Sequence, residues 1–71
     1  MKDKLKLFDV VALTEDMPDR KLTRGQVGTI VEILAPDVFE VEFIDSDGRA
    51  YAELAVKAEK LLGLHYEPAF A

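Results

Sequence analysis

The fold of this chain is decided by residues 38–44, VFEVEFI. The apolar residues Phe39, Val41 and Phe43 alternate with two glutamates, and this alternation is the pattern of a strand with one buried face. Aromatic and β-branched side chains also favour strands. The segment therefore predicts a strand with three core side chains on one face and two carboxylates on the other.

Turn signals bound this strand on both sides. Within residues 35–37, Pro36 cannot donate a backbone hydrogen bond and presets a turn, which ends the preceding strand. Residues 45–48, DSDG, follow the central strand, and Gly48 can adopt the left-handed conformation that closes a hairpin loop. The central strand is therefore expected to pair with a neighbour on each side.

The length of the hairpin loop fixes the register of the next strand. A four-residue loop pairs Ile44 with Arg49 and sets Glu40 opposite Glu53 on the outer face. A three-residue loop sets Glu53 opposite Val41 and puts a carboxylate on the core face. We expect the four-residue loop, because a slip of one residue exchanges the two faces. In that register the core residues of the central strand face Ala50, Ala52 and Leu54.

Four other apolar segments predict strands, at residues 7–13, 25–34, 49–56 and 61–65. The second of them is apolar on both faces in its second half, which predicts a strongly bent strand that buries both faces. Gly28 lies inside it and indicates a bulge or a close approach of another backbone. Residues 53–62 also fit one helical stripe, and here we expect a strand followed by a single helical turn at 57–60.

Composition limits the classes of protein that fit this chain. Its 71 residues suffice for one domain, and the absence of Cys excludes disulfides and thiolate metal sites. No apolar run approaches the roughly 18 residues of a membrane span, so we expect a cytoplasmic protein without membrane association. The net charge of −5 opposes binding to the phosphate backbone of nucleic acids.

Several runs in combination resemble a family of small bacterial proteins known only as a domain of unknown function. These runs are LFDVVALTED at 7–16, RGQVGTIVE at 24–32, FEVEF at 39–43 and DGRAY at 47–51. The likeness extends from about Leu7 to Tyr66. It implies an SH3-like barrel in a cytoplasmic bacterial protein, with some members forming one half of toxin–antitoxin-like gene pairs. It implies no catalytic residues.

A shorter likeness involves residues 25–31, GQVGTIV. This run resembles the glycine-containing strand of KOW-type SH3-like domains, and that resemblance implies binding to RNA or to RNA polymerase partners. KOW domains that bind nucleic acid carry basic residues around the glycine, whereas the residues downstream here are acidic: Glu32, Asp37, Glu40 and Glu42.

We therefore expect an all-β fold, a small five-stranded SH3-like barrel with a long first loop and a short helical turn before the last strand. The barrel domain is expected at residues 7–66. Residues 1–6 are expected to form a flexible N-terminus and residues 67–71 a C-terminal tail.

The sequence contains few residues of the types that catalysis or metal binding requires. It contains one His, one Ser and no Cys, so no pair of a nucleophile and a base is evident. We expect His65 to lie at the end of a strand and Ser46 to serve as a turn residue. The DSDG run lacks the Gly at position six and the Glu at position twelve of a calcium-binding EF-hand loop. We expect no enzyme activity, no cofactor and no metal.

Two surfaces are candidates for binding a partner. The first is the outer face of the central hairpin, where Glu40, Glu42 and Glu53 are expected around Tyr51. This face is either solvated or an acidic patch that docks a basic partner, with complementary charge speeding association.

The second candidate surface is the long polar loop at residues 14–24. At eleven residues it exceeds the usual connection length, so it is either functional or packed on itself. Its cations either balance the neighbouring carboxylates or form a recognition edge with two apolar residues. The residues concerned are Met17, Pro18, Arg20, Lys21 and Arg24.

The favoured interpretation of the sequence is a protein-interaction module whose partner is another protein, encoded by a neighbouring gene. One alternative is a KOW-like nucleic-acid-binding domain that uses Arg20, Lys21, Arg24 and Gly25, although the acidic composition disfavours it. The other is a self-assembling structural protein, which would be a homo-oligomer. SH3-like barrels host unrelated functions, so the fold alone does not choose among them.

Overall fold

The computed structural model describes residues 4–65, which form one antiparallel sheet of five strands. The strands are β1 (Val10–Leu13), β2 (Val27–Ala35), β3 (Val38–Ile44), β4 (Ala50–Lys57) and β5 (Leu61–Gly63). Single turns of 3₁₀ helix, η1 (Pro18–Arg20) and η2 (Ala58–Lys60), lie in the β1–β2 and β4–β5 connections. The sheet order is β4-β3-β2-β1-β5. The predicted all-β, five-stranded fold with a helical turn before the last strand is confirmed.

The inward side chains of β3 form the centre of the core. Val41 and Phe43 are fully buried and Phe39 is 4% exposed, so the predicted alternation is confirmed. Every other strand and the long first loop contribute to the same cluster, through Val11, Leu13, Leu22, Ile30, Leu54, Val56 and Leu61. At the N-terminal end Leu5 packs against this cluster, while residues 1–3 and 66–71, including the predicted tail, lie outside the described residues.

The first strand is shorter than predicted. It begins at Val10, because the chain turns at Leu7 and Phe8, where the Asp9 N–H donates to the Lys6 carbonyl. Phe8 has a φ of 71°, a left-handed conformation that cannot continue a strand. Its own N–H donates to the carbonyl of Ile30, so the turn is tied to β2.

The expectation that β2 buries both faces in its second half is wrong. Ile33 and Leu34 are 51% and 46% exposed. On β2, strand β1 pairs only with Val27 to Thr29, so within residues 4–65 the second half of β2 has a strand neighbour on the β3 side alone. The strand is nevertheless irregular, with register shifts between Ile30 and Glu32 and between Ile33 and Ala35.

Gly28 marks a close approach between β2 and β3. A Cβ atom at this position would lie 2.7 Å from Cγ1 of Val41 and 2.8 Å from the carbonyl oxygen of Glu42. The register shifts of β2 lie further along the strand, so the close approach is the correct one of the two predicted reasons for this glycine.

The predicted four-residue loop between β3 and β4 is wrong. Asp45 Oδ1 accepts hydrogen bonds from the backbone N–H groups of Asp47 and Arg49, which lengthens the loop so that Ile44 pairs with Ala50. The preceding residue of β3, Phe43, pairs with Ala52. Tyr51 is therefore skipped in the pairing and forms a bulge in β4.

The longer loop and the bulge together shift the register by two residues and therefore keep the core face intact. Val41 lies opposite Leu54, and Glu42 rather than Glu40 lies opposite Glu53. The prediction that Glu40 directly faces Glu53 is accordingly also wrong.

Replacement of Phe43 by Ala should unfold the domain. Loss of a fully buried Phe costs about 3–5 kcal/mol, and a single core of this size supplies a similar net stability. Thermal unfolding followed by circular dichroism measures the effect. Ile44→Ala is the control on the same strand, because Ile44 is 45% exposed and should shift the melting temperature little. Equal melting temperatures for Phe43→Ala and the wild type would contradict this account of the core.

Candidate interaction surface

Four glutamates lie together on the outer face of β2, β3 and β4. Glu32 on β2 pairs directly with Glu40 on β3, and Glu42 on β3 pairs directly with Glu53 on β4. Directly paired residues project from the same side of a sheet. We call this surface the acidic face and define it by these four residues.

Glu32 was not among the residues predicted for this surface. In a regular strand Glu32 would share the inward side of Ile30, which is fully buried. The register shift between these two residues turns Glu32 to the outer side, opposite Glu40. A charged residue at an expected core position was the available signal for a bulge.

The carboxyl of Glu40 has the most perturbed environment on the acidic face. Partial burial, a side-chain hydrogen bond with Glu53 and the negative charges of Glu53 and Glu32 raise its pKa, while the charge of Arg20 lowers it. Two carboxyl groups can share a hydrogen bond only when one of them holds a proton. The arrangement therefore favours proton uptake, or the approach of a positive charge from outside.

Tyr51 does not lie at the centre of the carboxylates. Its ring centroid is 6.4 Å from that of Phe43, a core residue, with the two rings tilted by 39°. Its hydroxyl accepts a hydrogen bond of 2.9 Å from Nε2 of Gln26. Tyr51 thus connects the start of β4 to the residue that precedes β2.

The long first loop is packed on itself. Met17 and Leu22 form an isolated bridge, with backbone hydrogen bonds of 2.8 and 3.1 Å, and Leu22 is 2% exposed. The 3₁₀ turn η1 lies between them and ends at Lys21, whose φ is 59°. Asp16 Oδ1 accepts a hydrogen bond of 2.8 Å from the backbone N–H of Arg24.

The predicted recognition edge of this loop is only partly brought together. Pro18, Arg20, Lys21 and Arg24 are exposed, whereas Met17 is half-buried and packs against the core. The loop carboxylate of Glu15 lies 3.9 Å from Nζ of Lys60 on η2, which is outside the loop. The charge of Arg20 reaches Glu40, so the loop and the acidic face are electrostatically connected.

A surface groove of about 590 Å³ lies near η2 and β5. Its lining includes Leu5, Asp37, Lys57, Leu61 and His65. Carboxylate, ammonium and leucine side chains are mixed along it, so the groove does not define one class of ligand.

The fold and the acidic face together define a small all-β domain with a charged sheet surface. Residues 7–62 match the family described as Domain of unknown function (DUF4926). The match spans more than half of the chain, and the chain therefore belongs to this family. No curated protein and no solved structure matches it. Within residues 4–65, no helix has the length and apolar character needed to cross a membrane.

Replacing Glu40 with Gln should raise stability at neutral pH and reduce its pH dependence. A carboxyl whose pKa is raised by folding contributes stability that is fully present below its ordinary value of 4.5 and is lost as pH rises through the folded value. The wild type should therefore gain stability from this group as pH falls from neutral towards 4.5, and the variant should lack this gain.

Urea unfolding at a series of pH values measures this difference. Glu59→Gln is the control, because it removes one negative charge from η2 and leaves the acidic face unchanged. If Glu40→Gln kept the full pH dependence of the wild type, the proton-sharing arrangement of Glu40 and Glu53 would be refuted.

Proposed function

We propose that this domain is a non-catalytic protein-interaction module whose acidic face binds a basic segment of another protein. The observation that carries the proposal is the direct pairing of Glu32 with Glu40 and of Glu42 with Glu53. Like charges opposite each other destabilise a sheet, by roughly 0.2–1 kcal/mol for each pair. The domain thus holds an unfavourable arrangement that a Lys- or Arg-containing partner would relieve.

Charge also favours this class of partner at long range. The chain carries a net charge of −5, and its acidic face concentrates four of the fourteen acidic residues on three adjacent strands. Complementary charge steers a partner to the surface and raises the association rate more than it lowers the dissociation rate. The proposed complex is therefore sensitive to salt.

We further propose that the domain is an SH3-like barrel of a bacterial cytoplasmic protein and that its partner is encoded by a neighbouring gene, as in a toxin–antitoxin-like pair. The strand order β4-β3-β2-β1-β5 and the 3₁₀ turn before β5 support the barrel assignment. The gene pairing rests on the resemblance of residues 7–66 alone.

The nucleic-acid alternative has weaker support. Its three cations lie on the first loop, but the charge of Arg20 reaches Glu40, and the backbone of Arg24 is bonded to the carboxylate of Asp16. A phosphate backbone approaching these cations would also meet the nearby carboxylates of Asp16 and Glu40. Protein binding through the acidic face is therefore the better-supported function.

Replacing Glu32, Glu40 and Glu42 together by Gln should slow association with a lysine-rich peptide. The variant should also lose most of the salt dependence of association, because the attracting charges are gone. Surface plasmon resonance at two ionic strengths, with an oligolysine peptide as the probe, measures both effects. The fold should survive, with stability about 0.5 kcal/mol higher because paired like charges are removed.

The matched control removes three carboxylates elsewhere, in the variant Glu15→Gln, Asp19→Asn and Glu59→Gln. The net charge is the same in both variants, so a difference between them reports the acidic face itself. If the two variants slowed association equally, the acidic face would have no special role. If a single-stranded RNA bound the wild type and lost affinity on replacing Arg20, Lys21 and Arg24 by Gln, the nucleic-acid alternative would be favoured.

A further inference from the structure

We propose that the domain forms a symmetric dimer in which β4 pairs antiparallel with β4 of a second copy, centred on Ala55. Strand β4 ends the sheet order, and among residues 4–65 it pairs only with β3. An edge strand with an open row of backbone donors and acceptors is a template for another strand. The inference goes beyond the proposed function, because it uses the backbone groups of the sheet edge, and of the acidic face it involves Glu53 alone.

The hydrogen-bond pattern of the β3–β4 ladder shows which peptide groups of β4 face this edge. The N–H of Ala58 donates to the carbonyl of Asp37 at 2.7 Å, which continues the register of the ladder. Bonded pairs alternate with non-bonded pairs in an antiparallel ladder. The residues of β4 bonded to β3 are therefore Val56 and Leu54, in steps of two from Ala58.

The residues of β4 that alternate with these bonded residues are Glu53, Ala55 and Lys57. They direct their backbone N–H and C=O groups away from β3. All three are exposed. The bulge at Tyr51 and the start of η2 at Ala58 bound this regular part of the strand. The open edge is therefore a short segment with three residues ready to form bonded pairs.

One register pairs all three of these residues with one another across a two-fold axis. It sets Ala55 opposite Ala55 of the partner subunit and Glu53 opposite Lys57 of the partner subunit. The same surface on both copies is then self-complementary, as a two-fold interface requires. The methyl groups at the axis are small enough to face each other, and two pairs of opposite charge flank them.

The second copy also relieves the local charge. Glu53 lies opposite Glu42 and shares a hydrogen bond with Glu40, so it is surrounded by carboxylates on the β3 side. Lys57 of the partner subunit would lie on its open side. Opposite charges directly paired across two strands stabilise a sheet, whereas like charges do the reverse. The charges of Glu53 and Lys57 therefore disfavour pairing with unrelated strands and favour pairing with a second copy of this strand.

Sedimentation equilibrium over a range of protein concentrations tests the dimer. The wild type should show a monomer–dimer equilibrium. Ala55→Pro should be monomeric and folded, because the lost N–H faces the open edge and proline is tolerated at such positions. A wild type that stays monomeric at millimolar concentration would overturn the proposal, and so would a dimer that persists in a folded Ala55→Pro variant.

Charge reversal tests the register separately and does not depend on how the proline variant folds. Glu53→Lys and Lys57→Glu should each weaken the dimer, by about tenfold or more, because two attractive pairs become repulsive. The double variant Glu53→Lys, Lys57→Glu should recover the dimer, since both pairs are restored with their signs exchanged. Failure of the double variant to recover association would refute the register centred on Ala55.

Discussion

The register between β3 and β4 is the constraint on which the rest of the structure depends. It sets Val41 opposite Leu54, and both side chains lie in the core. The same register sets Glu42 opposite Glu53 on the outer face. Because alternate residues point to opposite faces, the core packing of this hairpin cannot be kept without also bringing these two carboxylates together.

Two local irregularities in strand pairing also shape the outer surface that the β3–β4 register creates. The shift in β2 turns Glu32 outward next to Glu40, which extends the carboxylates to a third strand. The bulge at Tyr51 brings its ring near Phe43 and leaves the rest of β4 regular. The buried core offsets the repulsion among the glutamates. The acidic face is therefore a consequence of how the strands pair, and its charge is available for a partner.

The sequence predicted most accurately what depends on alternation within one strand. The bounds of β3 and the burial of Phe39 and Phe43 follow from the pattern alone. The β3–β4 register could not be predicted, because it depends on hydrogen bonds that the Asp45 carboxylate accepts and on a bulge, and neither changes which residues are apolar. Glu32 was missed although its charge at an expected core position was a signal, because the bulge between Ile30 and Glu32 moves Glu32 to the opposite face of the sheet.

Nuclear magnetic resonance of the β3–β4 hairpin tests this account most directly. Residues in non-bonded antiparallel pairs have close Hα protons. The structure predicts strong nuclear Overhauser effects between the Hα protons of Glu42 and Glu53, and between those of Glu40 and Ala55. Hα contacts of Glu42 with Tyr51 and of Glu40 with Glu53 would instead indicate the four-residue loop. That result would contradict the bulge and the pairing of Glu42 with Glu53. It would also contradict the assignment of which backbone N–H and C=O groups of β4 face the sheet edge.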